Sequence, residues 1–156
     1  MRWIKGCNGS SRGQTLIEFA LLAPILFILL FGIIDFGMYL NQRISVQHAV
    51  REGGRYAAVH VGCTDIQERT RSQAPNVIPT AQANSIVGVR YSNNPAAAGD
   101  TVEVYAKPTP YPLPIIGPAL DTFGIHIGSI SLKASAAARL EMAVTGAEAN
   151  GCGPAP

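Results

Sequence analysis

Residues 16–36 read LIEFALLAPILFILLFGIIDF, and this run decides the class of the protein. Sixteen consecutive residues, Phe19 to Ile34, carry no charge, and Leu16 and Ile17 extend the run past Glu18. A membrane-spanning helix needs about 20 mostly apolar residues. The core helix of a soluble domain would show a polar face at helical spacing, whereas this run is apolar all round. The run is read as a transmembrane helix over residues 14–36, with Glu18 and Asp35 near its ends. Arg2, Lys5 and Arg12 precede it with no acid among them. Cations on that side predict a cytoplasmic N-terminus and an extracytoplasmic remainder. A cleaved secretory signal is the rival reading. The run is long for one, bears an acid at its start, and is followed by Gly37-Met38-Tyr39-Leu40, a poor cleavage match. Cys7 follows no apolar run, so it is not read as a lipoprotein site.

The rest of the chain has room for one modest domain, since the whole is 156 residues. Apolar residues make up 47% and charged residues 14%, against roughly 25% charged in an average soluble domain. That balance excludes a disordered charged tail and a nucleic-acid-coating protein. Three of the twelve cations precede the run, and the nine that follow face ten acids, so no basic bias remains to attract phosphate.

Two residues inside the run carry a cost. Pro24 removes an intrahelical hydrogen bond, about 3 kcal/mol in a soluble helix. In a membrane the freed carbonyl, that of Ala20, can be satisfied by neighbouring helices. Glu18 is an acid about one turn inside, which marks it for function unless it snorkels to the headgroups.

Upstream, Arg12-Gly13-Gln14-Thr15-Leu16-Ile17-Glu18-Phe19 sets a Gly, four residues, a Glu and an aromatic before the apolar stretch. This resembles the processing site of type IV-like prepilins, cut after the Gly by a membrane-embedded aspartic prepilin peptidase. The resemblance implies cleavage between Gly13 and Gln14, a leader of residues 1–13, and Glu18 at the fifth mature position. Further marks are Glu18-Phe19-Ala20, Pro24, Gly32-Ile33-Ile34-Asp35, Ala49-Val50-Arg51-Glu52-Gly53 and Arg55-Tyr56-Ala57. Together, over about residues 12–58, these are similar to the TadE-like pseudopilins of the tight-adherence (Flp) pilus. The resemblance makes Glu18, Phe19 and Pro24 assembly residues. Its partners are a prepilin peptidase, other pilin and pseudopilin subunits, a pilus assembly platform and membrane lipid. Gln14 stands where most type IV pilins carry Phe, so N-methylation is not carried over. Major pilins of the family are much shorter, so the resemblance is to a minor component.

Beyond the run the helix is expected to continue over residues 37–62. Val46, Ala49, Val50, Gly53 and Ala57 fall on one helical stripe. A helix from Gln14 to about His60 would be a rod of roughly 70 Å. Ala49, Gly53 and Ala57 form a small-residue ladder that admits either another backbone or the protein's own sheet. Gly62 and Cys63 are expected to end the rod, and Asp65 to Gln73 to form a short amphipathic helix capped by Thr64. Three strands follow, Ser85 to Tyr91, Thr101 to Ala106 and Ile125 to Ala136, the first two joined by a turn-rich connection from Asn93 to Asp100. The expected fold is α+β over residues 63–141, a small three-stranded antiparallel sheet packed on the long, partly transmembrane helix. Pro108, Pro110, Pro112, Pro114 and Pro118 predict a stiff extended connection or a partner-docking loop. Residues 142–156 are a Gly/Pro-rich tail, flexible unless Cys152 pins it.

With Cys7 in the leader, Cys63 and Cys152 remain as an even pair suited to an oxidising compartment. A bridge would close a loop of about 90 residues and stabilise by roughly 4 to 5 kcal/mol in the chain-entropy model. Free thiols or a link between subunits are the alternatives. His60, Cys63 and Cys152 as metal ligands are a weaker reading, because a disulfide uses the same sulfurs. His48 is placed on a solvated helix face and His126 on a strand. No phosphate loop, nucleophile elbow or zinc motif is present in the sequence, so no catalytic residue, metal or cofactor is assigned. The expectation is a single-pass inner-membrane minor pilin used in pilus assembly, adhesion or export, and neither an enzyme nor a nucleic-acid binder. A membrane-tethered binding module, uncleaved and unassembled, is the alternative.

Overall fold

A computed structural model describes residues 11–60, 62–79, 86–122, 124–126, 128–145 and 150–154, with the side chains of residues 11 and 12 left aside. Arg2, Lys5, Cys7, most of the 1–13 leader and the Ser85 strand boundary lie outside the described residues.

The apolar run and the small-residue stripe belong to one uninterrupted helix, α1, Ser11–Ala57, with Pro24 inside it. Its two halves meet different surroundings. From Leu16 to Ile34 the large apolar side chains are exposed, whereas Val46, Ala49, Val50 and Ala57 are fully buried. Among the described residues α1 is the one helix long and apolar enough to cross a membrane, and none of its most apolar window is buried.

After α1 the chain turns into α2, Cys63–Gln73. Two expectations are corrected here. The regular helix stops at Ala57 rather than running to residue 62, and Thr64 is not a cap. Gly62 takes the N-cap position in an extended conformation without a side-chain cap hydrogen bond, and Asp65 in the first turn supplies the negative charge that suits a helix start. Ile66, Gln67 and Thr70 form the buried face of α2. Gln67 donates from Nε2 to the Val87 carbonyl at 2.9 Å, and Thr70 from Oγ1 to the Ile66 carbonyl at 2.7 Å.

The sheet is antiparallel in the order β1, Val87–Tyr91; β2, Thr101–Ala106; β3, Ala134–Arg139. Its register stacks Tyr91–Val102–Ala138, Val89–Val104–Ala136 and Val87–Ala106–Ala134 across the three strands. Because strand side chains alternate, these rows share one face, and that face joins the core with the buried stripe of α1. The side chains taper from Val to Ala toward β3, where α1 approaches most closely. A Cβ at Gly54 would lie 3.7 Å from the Ala136 Cβ.

The third strand corrects the expected Ile125 to Ala136. Only its last three residues, Ala134 to Ala136, fall in β3. Ile125 is half exposed, Ile127 lies outside the described residues, and Ile130 exchanges two backbone hydrogen bonds with Tyr111 at 2.8 and 3.0 Å. Ile130 is thus used against the proline-rich segment, while the sheet position under α1 needs alanine. That segment ends in α3, Ile116–Asp121, whose first turn contains Pro118. Pro118 is therefore helical rather than extended, at a position where a missing N–H is tolerated.

The tail crosses the sheet. Val144 is buried and bridges Ala96, and Cys152 and Val89 exchange two backbone bonds at 2.8 and 2.9 Å. Gly151 and Gly153 flank Cys152 with φ of +73° and +90°, and a Cβ on either would collide with the backbone carbonyl of Val89 or Val87. Glycine at both positions lets the tail lie flat along the edge of β1, which also shields that edge.

Candidate functional site

The N-terminal turns of α1 present Gly13, Gln14, Glu18 and Phe19 on an exposed surface. Gln14 donates from Nε2 to Glu18 Oε1 at 3.5 Å, a long contact that leaves the carboxylate open to solvent or to another chain. Phe19 is exposed, as are Leu21, Leu22, Ile25 and Leu26 around Pro24. No part of the chain's own sheet or of α2 covers this half, so its apolar surface is offered to lipid or to other helices.

The ladder has a different neighbourhood. Ala49 and Ala57 are fully buried within the molecule's own core. A Cβ at Gly53 would overlap Thr70 Oγ1 of α2 and come within 3.3 Å of Val104 Cγ1 of β2. Absence of a side chain at Gly53 is what allows α1, α2 and β2 to meet at one point. Beside it, Glu52 takes a 2.7 Å bond from Arg69 and a 3.2 Å bond from Arg55. These hydrogen bonds, Arg69 first, hold its carboxyl below the usual carboxylate range. Across the next turns, Cys63 at the start of α2 is bonded to Cys152 in the tail, 89 residues away. The two sulfurs thus bind each other, and His60 stacks on Tyr56 with ring centroids 3.9 Å apart. His48 is exposed on α1, and His126 sits in an exposed loop rather than a strand, 3.0 Å from Asp121 Oδ1.

Asp35 is the residue whose role the sequence reading left unassigned. It is 1% exposed although it lies at the end of the apolar run. Its Oδ2 accepts hydrogen bonds from the backbone N–H of Ile115 at 3.1 Å and of Ile116 at 2.7 Å. Oδ1 is buried with no hydrogen-bond partner among the described residues. Ile116 also packs over Gly32, where a Cβ would come within 3.1 Å of its Cδ1. Tyr111 closes the other side, its ring 6.1 Å from that of Tyr39. Burial first, and then the Asp35 carboxylate, push the Tyr111 phenol above its ordinary range. The available signals were an acid at the end of the run and a 13-residue stretch, Pro108 to Leu120, with no charge. Nothing in either says that they meet.

This geometry has the character of a helix with one half committed to its own domain and the other left for an apolar environment. Among the described residues no group of His, Cys, Asp and Glu is placed to hold a metal ion. No curated protein and no solved structure matches this chain. Residues 13–55, nearly the whole of α1, match the model of the TadE-like protein family, so this stretch is a TadE-like domain.

Proposed function

We propose that this protein is a minor pilin-like subunit of a tight-adherence (Flp) pilus, cut after Gly13 by a prepilin peptidase and used in pilus assembly. Its N-terminus faces the cytoplasm before processing, and its sheet domain lies outside. The observation that carries this reading is the divided helix. Residues 16–34 expose their apolar side chains while the stripe from Val46 to Ala57 is used up by the chain's own core. An anchor alone needs only the first property. An anchor that can be withdrawn into a helical bundle also needs a cap domain gripping its far end.

Cleavage would place a new α-ammonium on Gln14 one turn from Glu18. In a low-dielectric helix bundle a neighbouring subunit's Glu18 can neutralise it, an interaction far stronger there than in water. That pairing sets the axial stagger between subunits, and Phe19 and Pro24 shape the surface beside it. The partners in this reading are the peptidase, pilin and pseudopilin subunits, the assembly platform and lipid.

The intact mass of the protein from membranes, with and without the peptidase, is the direct test. Loss of residues 1–13, abolished by Gly13→Ala, is the expected result. An uncleaved chain with full function would overturn it in favour of a tethered binding module. For Glu18→Ala, membrane insertion should be unchanged while assembly is lost, because removing one charge from an exposed position disturbs insertion little. Filaments that incorporate Glu18→Ala normally would remove Glu18 from the mechanism.

A further inference from the structure

We propose that the segment from Tyr111 to Leu120 lies in the lipid interface at the outer end of the membrane span, as a second contact with the bilayer beside α1. The inference rests on α1 being that span.

Depth is the first argument. From Leu16 to Asp35 is about 29 Å of helix, against roughly 30 Å of hydrocarbon in a bilayer. Asp35 therefore marks the outer boundary. Ile115 and Ile116 are hydrogen-bonded to Asp35, and Ile116 packs over Gly32, one turn deeper. A segment held at that level cannot avoid the interface when the helix is inserted.

The surface is the second. α3 has no buried residue, although Ile116, Pro118, Ala119 and Leu120 are apolar. It meets α1 at Gly32 and Asp35, on the stretch of helix whose Ile33, Ile34 and Phe36 side chains are exposed, so both present apolar surface at one level. Tyr39 and Tyr111 meet just outside Asp35, the level at which amphipathic rings concentrate in membrane proteins. The cations Arg43 and Lys133 line a cavity of about 160 Å³ with Tyr39 on the headgroup side.

Backbone chemistry is the third and the most selective. Lipid tolerates a non-helical segment only if its N–H groups are satisfied. Pro112, Pro114 and Pro118 have none. Tyr111 donates to the Ile130 carbonyl, Gly117 to the Leu113 carbonyl, and Ile115 and Ile116 to Asp35. The prolines and the buried carboxylate thus serve one end, a backbone with few donors left for water. Asp35 acts here as a positioning residue that holds the segment at depth.

The test uses the full chain in a Trp3→Phe background, reconstituted in phosphatidylcholine–phosphatidylglycerol vesicles containing lipids brominated at shallow or deep acyl positions. Single probes are Leu120→Trp in the segment, Leu26→Trp in the helix and Val59→Trp beyond the membrane. Each variant is checked for the Cys63–Cys152 bond by mass before and after reduction. Expected is loss of Leu120→Trp emission with shallow bromolipid, loss of Leu26→Trp emission with deep bromolipid, and no loss for Val59→Trp. Adding Asp35→Ala should weaken the first and spare the second. Quenching of Leu26→Trp without Leu120→Trp overturns the inference and leaves the anchor standing. Quenching of neither overturns the anchor and the inference with it. A Leu120→Trp probe shielded from bromolipid only at high protein density would assign the surface to a second copy of the chain and also overturn the proposal.

Discussion

Gly53→Val should destabilise the domain by about 3 kcal/mol or more, the largest effect expected of any single substitution in the helix. Two terms of opposite sign decide it. Replacing a mid-helix glycine normally gains up to about 1 kcal/mol through helix propensity. Here the new Cβ would fall on Thr70 Oγ1, a buried hydroxyl bonded to the Ile66 carbonyl at 2.7 Å. Moving it leaves a buried polar group unpaired, about 1 to 3 kcal/mol, and the γ-methyls of valine must also displace Val104. Gly53→Ala carries the first penalty only and should lose about 1 kcal/mol net. Gly54→Ala is the internal control. Its Cβ would meet Ala136 at 3.6 to 3.7 Å, an ordinary contact, so the propensity gain should survive and the variant should be neutral or slightly stabilised. Thermal unfolding of the full chain in detergent ranks the three. Equal loss for Ala at positions 53 and 54 would show that the close approach is absent.

Replacing both Cys63 and Cys152 with serine should cost roughly 4 to 5 kcal/mol, the upper range for a disulfide, because the closed loop is long. The sequence separation of 89 sets the entropic term. The tail then depends on the two backbone bonds between Cys152 and Val89, the Val144–Ala96 bridge, the bond from Asn94 Nδ2 to Asn150 Oδ1 and the bond from the Tyr105 hydroxyl to the Pro154 carbonyl. Those are too few to hold an edge strand against chain entropy. Limited proteolysis should therefore cut after residue 141 in the double variant, or in the wild type after reduction, and leave the oxidised wild type intact there. Equal protease resistance with and without reductant would show that the bond adds nothing to the native state.

How much of this was legible depended on the reach of each signal. α1 could be read because hydrophobic length and the stripe Val46–Ala49–Val50–Gly53–Ala57 are local patterns repeated over many turns. β2 could be read from the alternation in Thr101–Ala106. β3 could not, because Ala134, Ala136 and Ala138 carry almost no strand preference, while the isoleucines just before them imitate one. Their small size matters only once α1 lies above them, which is a tertiary fact. Thr64 misled because cap chemistry was available there, yet Gly62 began the helix. Among the candidate site residues, Glu18 and Pro24 stand out because each violates the rule of its own segment. Asp35 does so too, but its donors are backbone groups 80 and 81 positions away. Backbone N–H groups leave no mark in a sequence. The tail looked loose because Gly151 and Gly153 read as flexibility, when their lack of side chains is what lets the strand seat.

The bond between Cys63 and Cys152 also orders events in time. A chain emerges from the ribosome N-terminus first, so the stripe on α1 is made early. Of its covers, α2 and β2 are made next, Ala134–Arg139 after them and Cys152 later still. Until Ala134–Arg139 is made, the side of α1 at Gly54 that packs on Ala136 stands open, and the Cys63–Cys152 bond can form only once Cys152 follows. A chain stopped before Ala134 therefore keeps that seam open and that bond unmade, whereas one extended past Cys152 closes both.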